Sequence, residues 1–335
     1  MLWMLVMTAI AGPVVIAHRG YPSQLPDHTL ARYERAVLAG ADFIEPDLVS
    51  TKDGILVARH ENEIGGTTDV ADAFPDRQTT KIVEGRTITG WFTEDFTLAE
   101  LKTLRARQPL DFRPADHDGR YEVPTLDEIL TLITRLEVAT GRTIGIYPET
   151  KHPTYFAELG LPLERPLVDA LHAHGLTGPD APVFLQSFEV DNLKAMAEIT
   201  QLPRIQLIDD PDTSPWDQRG HQTYGEMLTE EGLTHISEYA QGIGVHKSHL
   251  IPLDPHGNLG EPNGVTEAAH ARGLQVHVYT FRPEDRYLPR DQQGNPAGEL
   301  RAFYALGVDG VFSDDSALAL SVRDEPDRQP GGPNK

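Results

Sequence analysis

The sequence predicts a (β/α)8 TIM barrel carrying a small inserted subdomain, and three observations support this. Eight strand-like runs alternate with helix-compatible stretches, which argues a parallel sheet closed on itself. Polar residues stand at the ends of several of those runs, where barrel enzymes place their chemistry. The chain has 335 residues, more than the roughly 250 of a plain barrel, which leaves room for an insertion.

The first strand is Val14-Val15-Ile16-Ala17, an apolar β-branched run that ends in His18-Arg19-Gly20. Thr29 to Gly40 follows as a helix, with Leu30, Tyr33, Val37 and Leu38 on one face and Gly40 as its stop. The second strand, Phe43 to Ser50, carries Glu45 and Asp47, whose spacing of two puts both carboxylates on one face. Lys52-Asp53-Gly54 then turns the chain back as a hairpin. Pairing Ser50 with Ile55 and counting back sets His60 opposite Glu45. Later strands are expected at 143–149, 183–188, 205–208, 242–245, 275–281 and 310–314. Between them, helices are expected at 125–140, 163–174, 190–199, 224–233, 265–272 and 299–306. No G-x-G-x-x-G opens a helix and no P-loop is present, which disfavours an open dinucleotide-binding sheet.

Residues 61–120 interrupt the alternation. This stretch is rich in Thr, Asp and Gly and contains Thr97-Leu98-Ala99-Glu100, a capping box. It leaves directly from His60, so we expect a lid-like insertion over the barrel mouth. A second capping box, Thr125 to Glu128, marks where the barrel resumes. The barrel domain is expected over 12–323. Residues 324–335, with Pro and Gly but little apolar content, are expected to be a disordered tail. Residues 1–11 are apolar and include Ala9-x-Ala11 but lack a positive n-region. They read as a degenerate or truncated export signal too short to span a bilayer, with a mis-chosen start codon or a plain apolar strand as the rival.

Hydrophobic residues at 39% and charged residues at 24% are those of a soluble globular domain. A formal charge of -22 without a basic stripe excludes nucleic acid as the partner. An anionic ligand must then be met by a local cation. With no cysteine in the chain, disulfides, thiolate metal sites and thiol nucleophiles are excluded.

Glu45, Asp47 and Glu149 form an all-oxygen set suited to a hard divalent cation, calcium or magnesium. Structural ion pairs are the alternative for each carboxylate singly. Lys151, two residues after Glu149, falls on the same side of a continuing strand. Of the 14 histidines, only His18 and His60 combine strand-end placement with carboxylate neighbours. His28 reads as a brace of the first loop, His277 as a barrel-lining residue, and His246 and His249 as loop residues. Two imidazoles, Arg19 and a hard metal suit phosphodiester cleavage: charge neutralised on phosphoryl oxygens, one proton taken and one given.

At these residues the chain resembles the bacterial glycerophosphodiester phosphodiesterase family. The matching motifs are His18-Arg19-Gly20, Pro26-Asp27-His28-Thr29, Glu45-x-Asp47, His60, Pro148-Glu149-x-Lys151, Gln186-Ser187-Phe188 and Gly307 to Asp314. The long insertion after His60 resembles the periplasmic or secreted branch, which implies export, with a cytoplasmic location as the alternative. The resemblance implies hydrolysis of glycerophosphodiesters to sn-glycerol 3-phosphate and an alcohol. It further implies Glu45, Asp47 and Glu149 as ligands of a divalent cation, calcium ahead of magnesium. His18 and His60 are the implied acid-base pair, Arg19 a phosphate clamp and Lys151 a substrate contact. Departures are Asp27 for Glu, Glu61 for Asp, and Tyr279-Thr280-Phe281-Arg282 for a Trp-Thr-x-Asn run. The rival readings are a phospholipase D-like enzyme acting on lysophospholipid or sphingolipid, and a non-catalytic barrel that only binds. Neither nucleic acid nor stable membrane insertion is expected.

Overall fold

The computed structural model describes residues 12–325, so the expectations for 1–11 and 326–335 lie outside it. Its strands in chain order are β1 Val14–His18, β2 Phe43–Glu45, β3 Asp47–Ser50, β4 Leu56–Ala58, β5 Thr79–Val83, β6 Arg86–Gly90, β7 Gly145–Ile146, β8 Glu149–Thr150, β9 Leu185–Ser187, β10 Arg204–Ile208, β11 Gly242–His246, β12 Gln275–Phe281 and β13 Gly310–Ser313.

Two of the barrel staves are split by proline. Pro46 separates β2 from β3, and Pro148 lies between β7 and β8, because a proline nitrogen cannot donate to the ladder. Joining each pair, the sheet order β4-β3-β8-β9-β10-β11-β12-β13-β1-β2-β7 closes a ring of eight parallel staves. The ring closes because the β2/β3 stave pairs with the β7/β8 stave through both segments, Phe43 with Gly145 below and Asp47 with Glu149 above, and β8 pairs on its other flank with β9, Glu149 with Gln186. The (β/α)8 barrel expected from the alternation is the observed architecture.

Inside the ring, Ile16, Phe43, Tyr147, Ile205 and Phe312 form a buried plug. Gly145 makes it possible, since a Cβ there would stand 2.2 Å from the Phe43 ring. Outside the ring, the helix Leu126–Thr140 buries Leu126, Ile129, Leu130, Ile133 and Leu136, one stripe of the 3.6-residue period. Each such side chain contributes roughly 1.5–3 kcal/mol on leaving water. This helix begins with the expected Thr125/Glu128 capping box and ends at Gly141 with φ 69°.

The hairpin register differs from expectation by one residue. Ser50 pairs with Leu56, not Ile55, because Thr51 N donates to Ile55 O and the Thr51 hydroxyl also accepts from Ile55 N. A slip of one turns alternate side chains to the other face, so counting back sets His60 against Pro46. The ladder ends at Ala58, and the chain bends through 60–62, which brings His60 back to the barrel mouth.

Residues 61–120 fold as short helices and the β5/β6 hairpin, including the expected Thr97/Glu100 capping box. Ile64, Val70, Val83, Phe92, Phe96 and Leu101 anchor them on the barrel core. Three bonds lay the segment along the C-terminal rim. They are Glu84 to His152 (2.6 Å), Gln108 Nε2 to Ser23 O (2.9 Å) and Arg113 to Asp314 (2.5 Å). At the other end of the chain, Asp324 and Glu325 are held rather than free: Asp324 N donates to Leu320 O, and Arg301 makes two bonds to Glu325.

Candidate active site

Above the plug a cavity of about 530 Å³ opens at the C-terminal ends of the staves. His18, Arg19, Glu45, Asp47, His60, Glu149 and Lys151 all line it. All seven candidates from the sequence therefore meet in one place.

Local backbone geometry aims the first two. Arg19 adopts φ 55° and His28 φ 56°, left-handed conformations rare for such side chains. Gly20, at φ 92°, lets the chain turn against the first helix, where a Cβ would lie 2.7 Å from Arg32 Cγ. The Arg19 amide donates to Glu45 Oε2 (2.7 Å), and its guanidinium lies 3.3 Å from Asp27 and 3.5 Å from Asp47. Asp27 is shared with the buried Arg32.

The carboxylates converge. Glu45, Asp47 and Glu149 are buried and offer one oxygen each, all within 4.8 Å of one another. At that separation two like charges repel by about 3 kcal/mol at an effective dielectric of 20. The pKa values respond: burial, with Asp47 beside it, pushes Glu149 up to about 8 against the pull of Lys151. Burial and Asp47 also raise Glu45 well above the carboxylate range. Asp47 goes the other way: burial opposes its charge, but His28, His60 and Lys151 together outweigh burial and hold it low. His28 reaches Asp47 Oδ2 with Nε2 (3.0 Å) and the Tyr33 hydroxyl with Nδ1 (2.7 Å). The expected loop brace is thus a brace of Asp47.

The other oxygen, Asp47 Oδ1, is buried with no hydrogen-bond partner, an arrangement that costs free energy unless something electropositive fills it. Three hard oxygen donors at one point, one of them orphaned, fit a divalent cation. Glu45, Asp47 and Glu149 would hold it.

Both imidazoles are oriented by carboxylates. His18 Nδ1 donates to Asp314 Oδ1 (2.6 Å), which leaves Nε2 as its acceptor when the ring is neutral. Burial and then Arg19 push His18 down to about 4 despite Asp314. His60 Nδ1 lies 3.0 Å from Glu61. Burial, Arg19 and Lys151 lower its pKa too, although about a third of its side chain stays exposed and water offsets part of the shift. Lys151 Nζ donates to Glu149 Oε1 (2.8 Å), and Glu149 with Asp47 holds it above the usual lysine range despite burial.

Sequence reasoning names Asp314, Gln186 and Glu61 without what they support, and misses Arg113, His152 and Glu84. Asp314 was visible as a polar strand end, but its second oxygen binds Arg113 (2.5 Å), 201 residues away in the insertion. Glu61 is bridged by His152 (2.9 Å), which also meets Glu84 (2.6 Å). Gln186 Nε2 donates to Glu45 Oε1 (3.3 Å). No local pattern announces Arg113 or Glu84. His277, expected to line the barrel, is buried and bonded to the Tyr147 hydroxyl (2.7 Å).

A parallel barrel with two carboxylate-oriented imidazoles, an arginine and a hard-cation triad at its mouth is the framework of a hydrolytic enzyme that handles an anionic substrate. Residues 18–318 match the model of the Glycerophosphoryl diester phosphodiesterase family. The chain is 37% identical over 317 residues to a glycerophosphodiester phosphodiesterase of Arabidopsis thaliana, covering 90% of this chain and 83% of that protein. It is 29% identical over 300 residues to the glycerophosphodiester phosphodiesterase of Haemophilus influenzae, covering 81% and 79%. A solved Oleispira antarctica phosphodiesterase, in complex with the product sn-glycerol-3-phosphate, matches with a TM-score of 0.61 at 23% identity, over 93% of this chain and 97% of that one. The chain belongs to the glycerophosphodiester phosphodiesterase family.

Proposed function

We propose that this enzyme hydrolyses glycerophosphodiesters to sn-glycerol 3-phosphate and an alcohol, in a reaction that depends on a divalent cation. The observation that carries the reading is the buried Glu45, Asp47 and Glu149 triad meeting His18, His60 and Arg19 in one cavity. When bound, the cation neutralises charge on the phosphoryl oxygens. Calcium is favoured over magnesium because magnesium commonly keeps several waters and uses one or two carboxylates, whereas three protein carboxylates suit calcium.

The chain's own groups do the rest. Arg19 presents a planar fork to a second phosphoryl oxygen, and Lys151 supplies a further cation. His18 and His60, neutral at rest, take a proton from the nucleophile and return one to the leaving alkoxide. Such acid-base work is worth about 10²–10⁴-fold. Asp314 and Glu61 stabilise whichever ring becomes imidazolium. We further infer export to the periplasm or exterior, supported by the resemblance of the long insertion to the secreted branch; cell fractionation tests it.

The lysophospholipid reading draws on the apolar side chains Leu207, Ile251, Leu253 and Leu259 in the same cavity. The test is release of glycerol 3-phosphate from glycerophosphocholine with calcium or magnesium, with and without chelator, beside His18→Ala. Faster turnover of lysophosphatidylcholine would favour the second reading. Equal release by wild type and His18→Ala would end both.

A further inference from the structure

The cavity is far larger than a glycerol phosphate, and it continues away from the carboxylates between two loops, 247–263 after β11 and 282–295 after β12. The loops are tied together: Arg290 N donates to Gly257 O (2.8 Å) and Leu259 N to Asp291 Oδ1 (2.9 Å). Their shared wall, with Ile251, Leu259 and Leu288, is apolar.

Two cations lie on that wall. Arg282 and Arg286 both line the cavity, their guanidinium carbons 4.6 and 5.9 Å from the Tyr287 ring centroid. Arg286 also sits 4.3 Å over Phe112 of the insertion. Neither has a carboxylate of its own. Among the described residues no ion pair involves Arg286, and the carboxylate facing Arg282, Asp314 at 3.3 Å, is already bonded to His18 and Arg113. Among the residues lining this end, Lys247, Arg282 and Arg286 stand against one carboxylate, Glu299, which Lys247 binds (2.6 Å). The lining of this end is therefore electropositive, and it offers no unpaired carboxylate to an ammonium head group.

We propose that this half of the cavity binds the leaving alcohol and selects alcohols bearing an anionic group, a carboxylate or a phosphate, through Arg282 and Arg286. The proposal rests on the phosphodiesterase reading. A guanidinium fork matches either anion in two-point contact, and the apolar wall weakens the screening that water would impose. In a chain of charge -22 such a local reversal of sign is needed to admit an anion at all.

The test uses the full chain with calcium and two matched substrate pairs. Glycerophosphoserine and glycerophosphoethanolamine differ by a carboxylate; glycerophosphoinositol 4-phosphate and glycerophosphoinositol differ by a phosphate. The expected result is about a tenfold preference in kcat/KM for the anionic member of at least one pair, the worth of one partly exposed charged hydrogen bond. Which pair shows it identifies the anion. Arg286→Gln and Arg282→Gln should each bring the ratio towards one. Turnover of all four without preference, or a preference untouched by either variant, overturns the proposal and leaves the phosphodiesterase reading standing. Absence of glycerol 3-phosphate from all four substrates overturns both.

Discussion

The two ends of the cavity are built differently. At the carboxylate end, side chains leave β1, β2, β3 and β8 or the residues next to them, and several are held by a partner from another stave or its loop: Arg19 by Glu45, Asp47 by His28, Glu45 by Gln186. At the far end, Arg282 and Arg286 rest on Tyr287 and Phe112, aromatic rings carried by loops and by the insertion. The first end is fixed by hydrogen bonds on a rigid ring, the second by stacking on longer connections. That contrast assigns chemistry to the first and choice of substrate to the second.

The sharpest way to break this division is to alter the carboxylate end. Glu149→Gln should remove most activity, at least about a thousandfold in kcat, because a cation site and the Lys151 partner are lost together. The same variant should lose the stabilisation that calcium gives the wild type, which would approach about 3 kcal/mol at a hundred times Kd and is read as a rise in Tm. A variant that still binds calcium and turns over normally would erase the distinction between the two ends.

Arg113 lies where the ends meet. Arg113→Met leaves Asp314 with His18 and the weaker Arg282 contact, so the imidazole is less well held. We expect kcat to fall roughly 10- to 100-fold with little change in KM, the pattern of a lost orienting group. A change confined to KM would instead move Arg113 to the substrate-choosing end.

The smallest effect concerns the hinge between rim and insertion. Burial opposes charge on His152, but hydrogen bonds to Glu61 and Glu84 raise its pKa to about 9. A raised folded pKa contributes stability that is complete below the unfolded value near 6.5 and is lost as pH climbs through about 9. His152→Asn, a residue that tolerates the φ of 50° found here, should therefore cost about 3 kcal/mol at pH 6. The cost should fade by pH 9.5. Chemical denaturation at the two pH values measures it, and a pH-independent cost would remove the charged pairing from the account.

The same contrast explains what the sequence disclosed. The staves and their tips were legible because each is a short apolar run ending in a polar residue, so Val15-Ile16-Ala17-His18 and Glu45-x-Asp47 announce themselves within five residues. Thr97 and Thr125 announced their helices by capping chemistry alone. Register was harder: the Thr51 hydroxyl adds a residue to the hairpin turn, and no period reveals it. Arg113 and Asp314 are 201 residues apart, joined only by folding, and the 247–263 and 282–295 loops carry no periodicity at all. Arg282 stands out in the sequence as a departure from the family pattern, but its seat on Tyr287 is created only by folding.

The account depends most on a divalent cation held by Glu45, Asp47 and Glu149. Diffraction from crystals grown with calcium, with its anomalous signal mapped, tests this directly. The expected result is one ion at about 2.3–2.6 Å from an oxygen of each of the three carboxylates, with Asp47 Oδ1 among them. A map with no ion there, and the three acids bonded instead to Arg19, Lys151 and water, would contradict it.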